Sequence, residues 1–424
     1  MKKLISLLLA LAMVLSLAAC GAGEETPTEA PVNDAPAVET PVEDNAAVEL
    51  EAAKIAVAFT QINATALAQQ KYLEEYVGPA FNVEFMFSEA IDSADAAMTF
   101  IENAYAAGCQ GIMNFQNSSV EQINAKANEL GMYIISNSPP AENSDLPYVM
   151  GYVRCGVKDT SDMYRKAVKD LTSDGEKHNV VIISAGAGLG NEQHYDCTYA
   201  MLEALQEVYD LTYSDTTENL AASRGMVELE TGSDVKILLY PGYPNSDTYV
   251  SGLSTMLQTG EYDIVLGCNQ ATAKFSVAID EVERAYDMNI KVVYFSSVDE
   301  ATTAAFETID VSGDTSINSV LINPGNVLVG SMFGILYNGI SGHADAIRAE
   351  GIGVEYNSPI WETPNAETYM AVAALDGTDG NHELNIEEIQ QMMAVYNSAV
   401  TSESIQETLT AMTADAVLTA RGLK

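Results

Sequence analysis

From about residue 54 onward, short β-rich runs alternate with stretches of helical periodicity. This alternation is the strongest constraint on the fold. Strand patterns read KIAVAFTQ, FNVEFMF, GIMNFQ, MYIISNS and YVMGYVR. Helical patterns separate them over 63–77, 92–107 and 118–130. After a helix over about 160–171 the rhythm resumes with NVVIISA, LTYSD, VKILLYP, DIVLGCN, KVVYFSS and NSVLINP. The helices of this second series cover 192–208, a stretch from about 218, 246–258, 271–286, 300–307 and 326–339. Alternation at this spacing predicts parallel sheets with right-handed crossovers. About 370 residues exceed one ordinary core and suit two. The expected fold class is therefore α/β, with two doubly wound parallel-sheet lobes.

In such sheets ligands bind beyond the carboxyl ends of the strands. Those ends carry Gln61 and Asn63, Asn114 and Gln116, Asn137, Arg154, Asn191, Tyr243, Asn269 and Gln270, Ser296, and Asn323. Amides offer a donor and an acceptor on one group, which suits ligand hydroxyls, amides or ring nitrogens. Each one singly is also explained as a cap for the following helix. As a set they describe a cleft lined by amides, with Phe115 and Tyr243 as rings to stack on.

The N-terminus has a different character. Lys2 and Lys3 precede an apolar run over 4–17, too short to span a bilayer as a mature helix. The sequence Leu17-Ala18-Ala19-Cys20 follows, then Gly21. It resembles a bacterial lipoprotein signal, in which the cysteine is lipidated; an ordinary secretory signal is the alternative. Both imply export. Residues 21–50 hold eight acidic residues and no Lys or Arg. Such a segment cannot offset its ordering entropy, and 21–53 reads as an extended, self-repelling tether.

With 19 basic and 60 acidic residues the net charge is −41. This balance argues against nucleic acid and against anionic headgroups as ligands, since both require basic surfaces. A neutral or cationic small solute fits better. Beyond Cys20 the cysteines are Cys109, Cys155, Cys197 and Cys268, none in a metal-spaced pair. A Cys155–Cys197 bridge is possible, but buried free thiols are the simpler expectation. The glycines of SAGAGLGN imitate a dinucleotide fingerprint, but the last spacing is too short. The sequence shows neither a zinc helix nor a Gly-x-Ser-x-Gly elbow. The Asp-Gly-rich stretch near 376–380 lacks calcium-loop spacing. The expectation is a binding protein, not an enzyme, with no cofactor and no metal.

Two stretches resemble the type I periplasmic-binding proteins, the sugar-type solute receptors of ABC transporters. YDIVLGCNQATAKFSVAIDEV (262–282) resembles the strand ending in Asn-Asp and the helix that follows it. INSVLINPGNVLVGSMFGILYNGISG (317–342) resembles the hinge strand, Pro turn and returning helix. The resemblance covers roughly 54–342. It implies three crossings between lobes, near Arg154, near Asn323 and around 356–361. The implied N-terminal lobe is 54–154 plus 324–342, and the C-terminal lobe is 155–323. Residues 343–424 become a hinge return and a helical extension. It also implies a small polar ligand such as a sugar or nucleoside, a membrane permease as partner, a lipid anchor on the outer face of the membrane, and a monomer. The alternative is a lipoprotein that senses a ligand and signals to a membrane sensor without import. The chain departs from the pattern in having Gln270 and Ser296 where the family often has carboxylates, and Cys197 where Arg is common. Arg154 is then the main charge expected in the cleft, and Trp361 is a candidate to stack on a ligand ring.

Overall fold

The computed structural model describes residues 49–189, 192–242, 247–268, 275–315 and 317–424. The first lobe is built on a sheet of β1 (Ala53–Ala58), β2 (Val83–Phe87), β3 (Gly111–Asn114), β4 (Tyr133–Ser136) and β5 (Val149–Cys155). The second is built on β6 (Val180–Ser184), β7 (Val227–Glu228), β8 (Ile237–Pro241), β9 (Ile264–Gly267), β10 (Lys291–Ser296) and β11 (Ser319–Ile322). Two late strands, β12 (Val354–Ser358) and β13 (Trp361–Thr363), add one edge to each sheet. The central strands are mostly buried, and Val180–Ser184 is buried along its whole length. That is the pattern of parallel strands covered by helices on both faces.

The sheet orders are β12-β5-β4-β3-β1-β2 and β13-β11-β10-β9-β6-β8-β7. The first sheet is wholly parallel, and in the second only the edge strands β7 and β13 run antiparallel. Strand order reverses between β1 and β3 in one sheet and between β6 and β9 in the other. Those are the switch points where a doubly wound sheet opens a crevice. The two-lobed α/β architecture expected from the alternation is the one the chain adopts.

The chain passes between the sheets after β5, after β11 and between β12 and β13. Each passage leaves the carboxyl end of a parallel strand, so the carboxyl ends of both sheets meet at the hinge. Glycine makes one of these strands possible. Gly151 has φ +140°, and a Cβ there would sit 2.3 Å from the Val354 carbonyl oxygen. Only a residue without a side chain lets β12 pair with β5 at this register.

Two details differ from the sequence reading. LTYSD forms no strand, because Leu211 is buried and the Tyr213 hydroxyl donates to the Leu202 carbonyl at 2.8 Å, packing the segment onto a helix. The edge position goes instead to β7. Also, β12 and β13 are short and carry polar residues, so pairing, not local pattern, makes them strands.

The helix Gly325–Ile340 is buried at every position from Val327 to Gly339. A helix apolar all round must be enclosed. The first sheet covers one side, and the C-terminal segment covers the other. The approach is close: a Cβ on Gly330 would lie 2.5 Å from Leu384 Cδ2. The buried Asn338 amide donates to Met392 O at 2.9 Å and accepts from Ala394 N at 2.6 Å. The same C-terminal segment also holds the second lobe. Tyr369 packs on Phe306 with ring centroids 4.7 Å apart, and its hydroxyl accepts from Asp299 N at 3.2 Å. The segment therefore straps both lobes at the hinge.

Candidate functional site

On the N-terminal lobe, the ends of β3 and β4 are knitted together by Asn114. Its Nδ2 donates to Ser136 Oγ at 3.1 Å, and its Oδ1 accepts from Gln116 N at 3.1 Å. Its carbonyl accepts from Asn137 N at 2.8 Å. Asn114 is fully buried and committed to bracing the loop. The brace places Gln116, which is also buried, with a side-chain Nε2 that has no hydrogen-bond partner. Ser138 Oγ is likewise unpartnered. An unpaired buried donor costs about 1–3 kcal/mol, so such atoms mark places where a ligand would be welcome. Phe115 stacks on Phe59 with centroids 5.0 Å apart, which holds its ring at the same edge. Asn63 is a helix cap, its Oδ1 accepting from Ala66 N at 2.9 Å, and Gln61 is exposed on the loop before it.

On the C-terminal lobe, the Ser296 hydroxyl is within reach of the Ser297 carbonyl at 3.0 Å and of Asp299 Oδ2 at 3.1 Å. Asp299 in turn caps the helix Glu300–Glu307. Asn323, on the second crossing, has an unpartnered Oδ1. Behind the end of β6, the Ala185 N–H donates to His194 Nδ1 at 3.2 Å. Burial pushes that imidazole down to about 4, so it stays neutral. Asn191, Tyr243, Asn269 and Gln270 lie outside the described residues, as does Cys20.

At the hinge, Arg154 Nε donates to Glu355 Oε1 at 2.5 Å, from β5 to β12. The guanidinium thus ties two of the three crossing strands together. Trp361 is corrected by the structure. It is 1% exposed, and its indole N–H donates to Met412 O at 2.7 Å. The ring is core, because the C-terminal segment folds over β13 and encloses it. The four cysteines in the described residues are free thiols, so Cys155 and Cys197 are not bridged. No group of three or more His, Cys, Asp or Glu among the described residues is placed to hold a metal ion.

A pocket of about 520 Å³ opens beside the hinge. Its walls come from the first helix of the N-terminal lobe (Gln69, Tyr72), the loop after β10 (Ser297, Val298), the second crossing (Asn323, Gly325) and the C-terminal segment. The last contributes Asp376, His382 and Glu383. Glu383 Oε2 accepts from Asn326 N at 2.6 Å, at the start of the helix Gly325–Ile340. A carboxylate at a helix N-terminus satisfies orphan amides and suits the dipole. Burial nevertheless pushes this carboxyl up to about 7, against the lowering effect of the Asn326 and Val327 amides. The His382 ring stacks on Tyr76 with centroids 3.7 Å apart. Of the candidate binding residues that are among the described residues, only Asn323 lines this pocket. The others here were illegible because no periodic signal links 69–76 to 376–383.

Solved structures with this geometry exist. An ABC transporter periplasmic solute binding protein from Actinobacillus succinogenes, with bound D-allose, superposes with a TM-score of 0.54 at 15% identity, covering 75% of this chain and 99% of its own. A solute binding protein from Burkholderia graminis in complex with D-arabinose gives 0.53 at 13%, with 74% and 96% covered. One from Bacillus halodurans with bound myo-inositol gives 0.51 at 15%, with 76% and 99% covered. The chain has the type I periplasmic-binding-protein fold. No family model matches the sequence, and no curated protein does. At these identities the shared property is the fold alone, an α/β architecture of two lobes. About a quarter of the chain has no counterpart in these three structures.

Proposed function

We propose that the chain is an extracytoplasmic solute receptor. It clamps a small polar ligand, a sugar or related polyol or nucleoside, between its lobes and delivers it to a membrane permease of the ABC type. The observation that carries this reading is the meeting of both sets of strand carboxyl ends at a three-crossing hinge, with unpaired amide atoms on Gln116 and Asn323. Neighbours of the same fold hold D-allose, D-arabinose and myo-inositol, ligands rich in hydroxyls. Closure would pair the unpaired amides with such hydroxyls, and the bound state is then favoured by contacts from both lobes. Asn137, Arg154 and Ser296 belong to the same rim, and Asn191, Tyr243, Asn269 and Gln270 complete the proposed set. The absence of carboxylates at Gln270 and Ser296 favours a ligand held by neutral amides. Lipidation at Cys20 and an acidic tether over 21–53 would retain the receptor at the membrane while leaving it free to turn.

The test is isothermal titration of the purified chain against monosaccharides, polyols and nucleosides, with small-angle scattering on any hit. A saturable ligand that contracts the radius of gyration is expected. A chain that stays folded but binds nothing across the panel overturns the reading.

A further inference from the structure

The pocket beside the hinge has polar walls that the fold itself does not use. Gln69 is 6% exposed and lines the pocket, and its side chain makes no hydrogen bond among the described residues. Its carboxamide faces the pocket, where a ligand could take up its donor and acceptor. Asn323 Oδ1 and His382 Nδ1, on two other walls, are also unpartnered. Three segments far apart in the chain thus bring side chains with unpaired polar atoms to the walls of one cavity.

The chemistry of the lining is one-sided. Glu75, Asp376 and Glu383 stand against Lys71 alone, so the walls are rich in acceptors and net negative. Tyr72 and Tyr76 add aromatic surface, brought there by a π-helical turn over Tyr72–Val77. Such turns occur often at functional sites. An ammonium group supplies up to three N–H donors, accepts none, and is attracted to both carboxylates and aromatic faces. The remaining lining, including Ala68, Ile322 and Val372, is apolar and suits a short hydrocarbon body. The volume lies in the range of small-molecule sites.

We propose that this pocket is a second binding site, taking a small organic amine that carries a primary or secondary ammonium. It borders the cleft proposed above and shares Asn323 with it, but its ligand is read from Gln69, the acidic walls and the tyrosines, none of which belongs to the cleft set. It exists only because the C-terminal segment closes its outer wall.

The probe is putrescine, titrated calorimetrically into the full purified chain at physiological salt, with myo-inositol as the neutral comparison. Saturable binding at one site per chain is expected, weakened at least about tenfold in Gln69→Leu. That variant leaves the net charge unchanged, so a loss separates specific binding from attraction to an acidic protein. Asp376→Asn, on an exposed loop, should weaken binding similarly and covers the case in which Gln69→Leu fails to fold. Gln116→Leu, in the cleft, should leave putrescine binding unchanged. The proposal is overturned if the folded wild-type chain shows no saturable binding, or if both pocket variants bind as the wild type does. It is equally overturned if Gln116→Leu alone abolishes binding, or if myo-inositol and not putrescine shows the dependence on Gln69.

Discussion

The Glu383 carboxylate accepts the backbone N–H of Asn326 at 2.6 Å across 57 residues of sequence. A residue of the C-terminal segment thereby completes the first turn of the helix that returns the chain to the N-terminal lobe. The hinge is held by three crossing strands and by this strap.

That contact has a pH signature. Burial raises the Glu383 carboxyl in the folded state to about 7, well above its value of about 4.5 when unfolded. The folded state therefore holds the proton more tightly. Its stabilising effect is fully present below about 4.5 and is lost as pH rises through about 7. Glu283, buried beside Asp310, acts in the same direction. Glu383→Gln cannot ionise, so its melting temperature relative to wild type should climb between pH 5 and pH 8. Calorimetric scans across that range check this, and a constant difference between the two proteins would count against it.

Gly151→Ala tests the first crossing. The substitution places a methyl 2.3 Å from the Val354 carbonyl oxygen at a φ of +140°. The backbone conformation alone should cost about 1–3 kcal/mol, with the clash adding to it. Urea denaturation should show a lower midpoint. An unchanged midpoint would mean that β12 does not pair with β5 as described.

Asn114 and Gln116 should separate structure from binding. Asn114→Ala removes a brace that joins β3, β4 and the following loop, and should lower stability by about 1–3 kcal/mol. Gln116→Leu removes an unpaired buried donor, so stability should hold or improve. Its affinity for a cleft ligand should fall by about 1–3 kcal/mol. Paired unfolding and titration measurements distinguish the two, and the assignment fails if Gln116→Leu binds as tightly as wild type.

Trp361→Phe should behave as a core substitution. It deletes the donor to Met412 O and leaves space in a closed interior, at a cost of about 1–3 kcal/mol. Ligand affinity should be unaffected. A selective loss of affinity with normal stability would return Trp361 to the cleft.

The order of strands and helices was legible because hydrophobic periodicity is local. A run such as VVIIS announces a strand enclosed on both faces wherever it falls. The crossings near Arg154 and Asn323 were expected only from the resemblance to the periplasmic-binding proteins, because periodicity marks where a strand ends and not which sheet the chain enters next. Weak strands were not: VEYNS and WET become β12 and β13 only through their partners Val149–Cys155 and Ser319–Ile322. Nor could the roles of the amides be read in advance. Asn63 caps a helix, Asn114 braces a loop, and Gln116 is left unpaired, although all three stand at strand ends.

The sequence by itself determined the α/β class and the two lobes, because alternating apolar periods leave few ways to bury their faces. Only the tertiary structure decided which polar atoms are spent and which are free. It also drew Trp361 into the core and folded the C-terminal segment across the hinge to enclose a pocket. Those outcomes depend on hydrogen-bond partners and packing surfaces far apart in the chain, and no local pattern encodes them.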